Sequence, residues 1–192
     1  ISSPPNQVGF YDITVRRVPD GLISNYLHDE IKPGDALEGT GPTGNFYYNP
    51  LFHDRNMVLL AGGCGITPFM SMIQEVIDCG LERDIYLFHG CKNLSETPFH
   101  DKLQFLSQRH SNFKYFPVLE ESPENYSCQT GFITGEYIKS VLADLTDKTF
   151  FMCGPQDMYA YCAEELRKLG VSEKKIRKEA AGPPLRVTDQ PG

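Results

Sequence analysis

The strongest constraint on the fold is a glycine-rich turn that joins an apolar strand to an amphipathic helix. Residues 56–61 are mostly apolar, and apolar side chains recur at helical spacing from Ile66 to Ile77. The turn between them contains Gly62, Gly63 and Gly65. Glycines let a backbone turn sharply and bring its N–H groups close to an anion. The segment therefore predicts a strand–turn–helix unit that binds a phosphate, although a tight turn without a ligand has the same pattern.

The start of the predicted helix supports a phosphate site of an unusual type. Thr67 can cap the helix, Pro68 suits its first position, and a helix N-terminus favours a phosphate. Pro68 stands where the usual Gly-x-Gly-x-x-Gly pattern has its third glycine. The next strand ends in Gly90, Cys91 and Lys92 rather than in an acid. An ordinary NAD-dehydrogenase fingerprint is therefore disfavoured.

Strands and helices alternate after about residue 52. The predicted strands cover residues 56–61, 84–89, 113–119, 149–153 and 175–180, and the predicted helices cover 66–77, 98–110, 136–143 and 156–169. This alternation predicts an α/β domain with a five-stranded parallel sheet that is doubly wound, with helices on both faces. Residues 1–51 have another pattern, which predicts strands at 10–18 and 36–39 and a short helix at 25–28.

Composition excludes several classes of function. With 18 Lys+Arg against 25 Asp+Glu the chain carries a net charge of −7, so a nucleic acid is not an expected partner. The longest apolar run, residues 158–163, is six residues long, so no membrane span is predicted. No signal peptide is visible, and the pattern of cysteines described next favours a reducing, cytoplasmic compartment.

The six cysteines and five histidines show no metal-binding spacing. No two cysteines form a Cys-x-x-Cys pair, which disfavours a zinc ribbon, a thioredoxin-type site and an iron–sulfur cluster in this chain. An even number of cysteines leaves a disulfide framework open, but several lie in apolar segments where buried free thiols are common. We therefore predict free thiols and no metal.

Three segments together resemble the ferredoxin–NADP reductase superfamily, and most of all the flavin reductase parts of oxygenase systems and flavohemoglobins. Residues 63–68 resemble the pyridine-nucleotide loop of that family. Residues 152–155, with Met158, resemble its Cys-Gly-Pro turn near the nicotinamide. Residues 21–28 resemble its flavin pyrophosphate segment. The match extends to about Gly182.

The resemblance implies two domains and a linker. Residues 1–51 would be the C-terminal part of an antiparallel β-barrel that binds FAD, residues 52–182 an NAD(P)-binding domain, and residues 183–192 a linker. The family reads flavin with an Arg-x-Tyr-Ser strand just before an Ile-Ser-Ser-like stretch, and this chain begins at that stretch. Ala181 also stands where the family often has an aromatic ring over the flavin. We therefore expect the chain by itself to hold flavin poorly.

The resemblance also assigns site residues. Cys153 would contact the nicotinamide and help aim the hydride at flavin, and Glu179 would support the flavin site or a proton on it. Either Arg16 or Arg17 could approach flavin phosphates, and Arg16 is the predicted one. The other cofactor-binding residues of the predicted flavin domain are Ser2, Ser3, Thr14, Gly21, Ile23 and Ser24. Those of the predicted nucleotide domain are Gly62, Gly63, Gly65, Ile66, Thr67, Pro68, Gly90, Cys91, Lys92, Gly154, Pro155 and Met158.

The implied function is electron transfer: hydride from NAD(P)H to FAD, then single electrons to a 2Fe–2S centre in the same protein or in a partner. NADH and NADPH both stay open. The basic run at residues 174–178 could dock an acidic iron–sulfur protein or could be a solvated face. Two alternatives remain, a non-catalytic nucleotide-binding subunit of a redox complex and a thiol-based redox enzyme that uses Cys153.

Overall fold

The computed structural model describes residues 1–39, 41 and 43–180. After one helix, α1 (Leu22–Asp29), strands and helices alternate. They are β1 (Asn56–Gly62), α2 (Thr67–Asp78), β2 (Ile85–Asn93), α3 (His100–Arg109), β3 (Phe113–Glu121), β4 (Gln129–Thr130), α4 (Gly135–Val141), β5 (Lys148–Gly154), α5 (Gln156–Lys168) and β6 (Ile176–Ala180). The predicted linker at 183–192 and Ala181 lie outside the described residues.

The strands form one parallel sheet in the order β4–β3–β2–β1–β5–β6. The order reverses between β1 and β5, which makes that junction the topological switch point where doubly wound sheets bind ligands. The two strands at this junction, β1 and β5, are buried on both faces, as expected for strands between two helical layers. The predicted doubly wound α/β fold is confirmed.

Two cores hold the sheet between the helical layers. On one face Phe69 and Ile73 of α2 and Leu103 of α3 pack against apolar side chains of the sheet. On the other face Ile138 of α4 and Leu166 of α5 do the same. Successive strand residues alternate between these two clusters, because side chains of a strand point to opposite faces.

The sheet has six strands where the sequence predicted five. The additional strand, β4, is two residues long and pairs with Val118 and Leu119 of β3. Such a short edge strand leaves no periodic pattern in the sequence, because its place depends on the neighbouring strand and not on alternating apolar residues.

The first 39 residues contain no strand, contrary to the prediction of strands at 10–18 and 36–39. A strand needs a neighbour to accept and donate its backbone hydrogen bonds, and no described residue provides such a ladder there. The contacts that exist are isolated ones, such as Ser2 N–H to the Asp12 carbonyl at 2.8 Å. Apolar side chains such as Val8, Tyr11 and Leu22 are consequently more than three-quarters exposed.

Phe46 attaches the N-terminal segment to the sheet domain. Its ring lies 5.8 Å from that of Phe69 and 5.7 Å from that of Phe151, at angles typical of aromatic pairs. Phe151 belongs to the buried strand β5, so this contact reaches the main core. Among the described residues, no helix is long and apolar enough to cross a membrane.

Candidate functional site

A cavity of about 560 Å³ lies at the carboxyl edge of the sheet. It is bordered by the turn after β1, the end of β2 and the turn that leads from β5 into α5. The predicted site residues that line it are Arg16, Gly62, Gly63, Gly90, Cys91, Lys92, Pro155 and Met158. The structure therefore brings residues from both predicted domains to the switch point, where a doubly wound sheet offers its binding crevice.

Two glycines let the ends of β1 and β5 approach each other. A Cβ at Gly62 would lie 2.6 Å from Met158 Sδ and 2.7 Å from Pro155 Cδ. A Cβ at Gly154 would lie 2.7 Å from the same sulfur and 3.1 Å from Gly62 Cα. Real Cβ atoms almost never come closer than 3.0 Å, so a side chain at either position would force Met158 to shift, and at Gly62 also Pro155. Backbone and Met158 together form the floor of the cavity.

Gly65 serves packing rather than the cavity. A Cβ there would lie 2.0 Å from the carbonyl oxygen of Cys153 and 2.7 Å from the Gly154 nitrogen. Gly65 is buried and does not line the cavity. Its lack of a side chain thus brings the turn after β1 against the backbone of β5, which holds Cys153 in place.

Gly63 has the left-handed backbone conformation that glycine adopts most easily, with φ of 51°. Its carbonyl oxygen lies 2.9 Å from Nε2 of His89, a fully buried residue of β2. Burial lowers the pKa of His89 to about 4, so its imidazole is neutral at physiological pH. No motif in the sequence distinguishes His89 from the other four histidines.

Cys153 is a buried, protonated thiol beside Glu179. The two residues are register partners in β5 and β6, so the structure brings the two predicted catalytic residues side by side. Burial raises the pKa of Cys153 to about 12, and the charge of Glu179 acts in the same direction. The hydroxyl of Tyr159 accepts a hydrogen bond from Gly154 N–H at 3.1 Å. A thiol with such a pKa is a poor nucleophile, which disfavours the thiol-based alternative.

The helix start after the glycine turn differs from the prediction. Thr67 is the first residue of α2 and does not cap it, and Pro68 occupies the first turn. The segment Gly63–Ile66 forms a 3-10 turn that passes directly into α2, so no extended residue stands where a capping side chain would act. Ile66 is fully buried in the core and does not line the cavity.

The two neighbouring arginines, Arg16 and Arg17, make different contacts. Arg17 makes a two-pronged ion pair with Asp29, at 2.6 and 2.8 Å, and also bonds Asn25 at 3.0 Å. This pair ties α1 to the preceding segment. Arg16 lines the cavity, and its Nη1 lies 3.7 Å from where a Cβ of Gly63 would stand. Arg16 therefore brings a positive charge to the glycine turn.

Residues 59–164 match the family described as Oxidoreductase NAD-binding domain, which covers more than half of the chain. The chain belongs to the oxidoreductase NAD-binding domain family. Residues 1–48 match a second family, described as Oxidoreductase FAD-binding domain. The predicted resemblance to the ferredoxin–NADP reductase superfamily is confirmed.

Relatives of this chain include a flavohemoprotein and reductases of oxygenase systems. The Flavohemoprotein of Rhodopirellula baltica is 34% identical over 186 residues, which cover 90% of this chain and 45% of that protein. The Glycine betaine monooxygenase reductase subunit of Pseudomonas aeruginosa is 31% identical, over 95% of this chain and 50% of that protein. The crystal structure of the Amycolatopsis cytochrome P450 reductase GcoB is similar with a TM-score of 0.76 and 26% identity, over 88% of this chain and 51% of that chain. The chain spans about half the length of these relatives.

The predicted flavin-binding hydroxyls form hydrogen bonds within the N-terminal segment. Ser2 Oγ lies 2.9 Å from Thr14 Oγ1, and buried Ser3 accepts from Asp12 N–H at 3.0 Å. None of these predicted residues lines the cavity. They hold the N-terminal segment together, so their hydroxyls already have partners within it.

Only some of the backbone N–H groups in the predicted pyrophosphate turn are free to bind an anion. Gly21 N–H donates to the Val18 carbonyl at 2.9 Å, so it is already paired. Ser24 Oγ accepts from Val18 N–H at 3.1 Å and is not the helix cap, because Gly21 precedes the helix. The backbone N–H groups of Ile23 and Ser24 lie in the first turn of α1, where helices leave donors without an intrahelical partner. These two amides are the remaining candidates for an anion.

Sequence reasoning missed half of the cavity lining. The missed residues are Glu96, Glu120, Gly131, Phe132, Ile133, Asp157, Tyr161 and Cys162. Most lie on β3, after β4 or on α5, and no local motif marks them. Their order along the carboxyl edge follows from the strand order, which the sequence alone did not provide. Three of them, Glu96, Glu120 and Asp157, are carboxylates and bring negative charge to the cavity.

The basic run at residues 174–178 lies away from the cavity. Lys175 contacts the Thr146 carbonyl and pairs with Asp54 at 3.2 Å. Arg177 donates to His53 Nε2 at 3.0 Å and to the Lys174 carbonyl at 2.8 Å. Thr146 and Asp54 precede β5 and β1, so the run begins at the amino edge of the sheet, whereas Lys178 is already the register partner of Met152 inside β5. Two of its charges therefore serve internal contacts.

Proposed function

We propose that the chain is the nucleotide-binding part of an NAD(P)H-dependent flavin reductase. The observation that carries the proposal is the cavity at the switch point, with a floor of glycine backbone and with Arg16 of the flavin-type segment at its edge. NAD(P)H would supply a hydride, FAD would take it up, and electrons would leave one at a time. Membership in the oxidoreductase NAD-binding domain family and the match of residues 1–48 to the FAD-binding family support this function.

The residues act mainly by binding and orienting. Backbone amides of the turn at Gly63 and the guanidinium of Arg16 would hold a pyrophosphate, since both attract oxyanions. Met158 and Pro155 provide an apolar wall beside them. Cys153 is buried and keeps its proton, so it would act by packing at the nicotinamide end rather than as a nucleophile. Proximity and orientation then supply most of the catalysis.

The charges of the cavity favour NADH over NADPH. Arg16 and Lys92 bring two positive charges, whereas Glu96, Glu120 and Asp157 bring three negative ones. The pyrophosphate of NADH would be enough to pair with both cations. A 2′-phosphate would add further negative charge next to carboxylates, and like charges at short range are unfavourable. We therefore propose NADH as the coenzyme.

The proposed electron acceptor is a 2Fe–2S centre in the same protein or in a partner. Support comes from relatives named Glycine betaine monooxygenase reductase subunit and Phenol hydroxylase P5 protein, which belong to oxygenase systems. The basic run at residues 174–178 is a poor docking candidate, because Lys175 and Arg177 are engaged in contacts within the chain. We also propose a cytoplasmic location, because all six cysteines are free thiols, as is usual in a reducing compartment.

Flavin reduction tests the proposal. The complete gene product, incubated with FAD under anaerobic conditions, is expected to bind flavin and lose its yellow absorbance when NADH is added. Replacing Cys153 with Ala should slow bleaching without abolishing it, and Cys79→Ala, an exposed thiol outside the cavity, is the matched control. Absence of both bound flavin and bleaching would refute the reductase. Nucleotide binding without flavin would instead support the non-catalytic subunit.

Ligand fragments test the coenzyme. 5′-AMP should bind more tightly than 2′,5′-ADP, which is the same fragment with an added 2′-phosphate, in isothermal titration. Glu120→Arg should narrow or invert that preference by about tenfold, because it removes one negative charge and adds a positive one. Glu124→Arg, an exposed position outside the cavity, should leave it unchanged. Equal binding of the two fragments in the unmodified protein would contradict NADH specificity.

A further inference from the structure

His89 makes a buried contact that neither the fold nor hydride transfer obviously requires. Its side chain is fully buried, and Nε2 lies 2.9 Å from the Gly63 carbonyl oxygen. A carbonyl only accepts, so Nε2 carries the hydrogen and Nδ1 is bare. Nδ1 is buried without any hydrogen-bond partner among the described residues. Burying an unpaired nitrogen costs free energy. The structure accepts this cost at Nδ1 while Nε2 keeps its hydrogen bond to Gly63.

The surroundings of His89 keep its ring neutral and fixed. Cys91 Sγ lies 3.3 Å from Nε2, and the ring of Tyr115 lies 6.5 Å away. His100, from α3, lowers the pKa of His89 in addition to burial. Burial raises the pKa values of Cys91 and Tyr115, so both are protonated. No group in contact with His89 would therefore charge it or turn it away from Gly63 at neutral pH.

The direction of this bond relates His89 to the cavity. His89 and Tyr115 lie on the face of the sheet covered by α2 and α3. Cys91, beside His89, borders the cavity from that face, whereas the lining residues Ile133 and Met158 belong to the opposite face. In a trans peptide the C=O and N–H groups point in opposite directions. A Gly63 carbonyl held toward His89 therefore turns the N–H of the following residue, Cys64, toward the part of the cavity that Ile133 and Met158 line.

We propose that His89 is a positioning residue that holds the Gly63–Cys64 peptide so that the Cys64 amide donates to the pyrophosphate of the dinucleotide. The inference rests on the proposed nucleotide site. Gly63 tolerates the left-handed conformation that this peptide orientation needs, with φ of 51°. His89 acts from the far side of the sheet and never touches the ligand.

Two substitutions separate positioning from a merely structural role. His89→Leu removes the donor, and His89→Gln retains one. In the complete protein, His89→Leu should weaken binding of ADP-ribose about tenfold in isothermal titration, and His89→Gln should recover most of the loss. Adenosine, which lacks the pyrophosphate, should bind all three proteins equally by NMR titration. The KM for NADH should rise by the same factor while kcat stays within twofold, because the amide binds substrate and transition state alike.

The unmodified protein supplies a measurement that does not depend on folding of a variant. Addition of ADP-ribose should move the Cys64 amide proton downfield, as a hydrogen bond to phosphate requires. An unmoved Cys64 amide, or equal loss of ADP-ribose and adenosine binding in His89→Leu, would overturn the inference while leaving the nucleotide site intact. Failure of the unmodified protein to bind ADP-ribose at all would overturn the proposed function and this inference with it.

Discussion

Replacing Gly65 with Ala tests how the candidate site is held together. The new Cβ would lie 2.0 Å from the carbonyl oxygen of Cys153 and 2.4 Å from its carbon. Both neighbours are backbone of the buried strand β5, so no flexible side chain can yield, and the turn or the strand must move by about 1 Å. Overpacking of this kind costs about 3 kcal/mol. For a chain of this size, the melting temperature should fall by about 6–12 °C.

Gly90→Ala is the matched control, because Gly90 lies at the same edge of the sheet. Its Cβ would meet Ile133 Cδ1 at 3.6 Å, an ordinary contact, and its φ is not positive. The substitution should change stability by less than about 1 kcal/mol, in the stabilising direction, because alanine restricts the unfolded chain. Urea unfolding followed by circular dichroism measures both variants. A Gly65→Ala protein as stable as Gly90→Ala would refute the packing argument.

Three further outcomes are expected. Phe46→Ala should lower the free energy of unfolding by about 2–3 kcal/mol and expose the N-terminal segment to limited proteolysis, because Phe46 attaches that segment to the core; an unchanged cleavage pattern would contradict this. Iodoacetamide at pH 8 should modify exposed Cys79 long before Cys153, whose pKa is about 12, and mass spectrometry would reveal the reverse order. The pKa of His89 is about 4 in the folded state and near 6.5 when unfolded, so stability should fall as pH drops from 6.5 toward 4, by roughly 3 kcal/mol in all. His89→Gln should lack this component in urea titrations, and an identical pH dependence in both proteins would argue against a buried neutral ring.

Much of the sheet domain was predictable because its signals are local. The strand–turn–helix unit around Gly62 and the alternation of strands and helices follow from hydrophobic periodicity, which depends on neighbouring residues only. The strands at residues 10–18 and 36–39 were predicted wrongly for the converse reason. Apolar alternation shows that a segment can be a strand, but the hydrogen bonds come from another segment, and the described chain has none there.

The sequence by itself determined the doubly wound fold, the glycine turn and the Cys153–Gly154 turn, because close backbone packing demands these residue types locally. Only the tertiary structure decided which residues meet at the cavity. It separated Arg16 from its neighbour Arg17, placed carboxylates such as Glu120 beside the cavity, and set His89 beneath Gly63. These contacts depend on strand order and on the face of the sheet from which each side chain projects, and both are properties of the packed sheet rather than of any single segment.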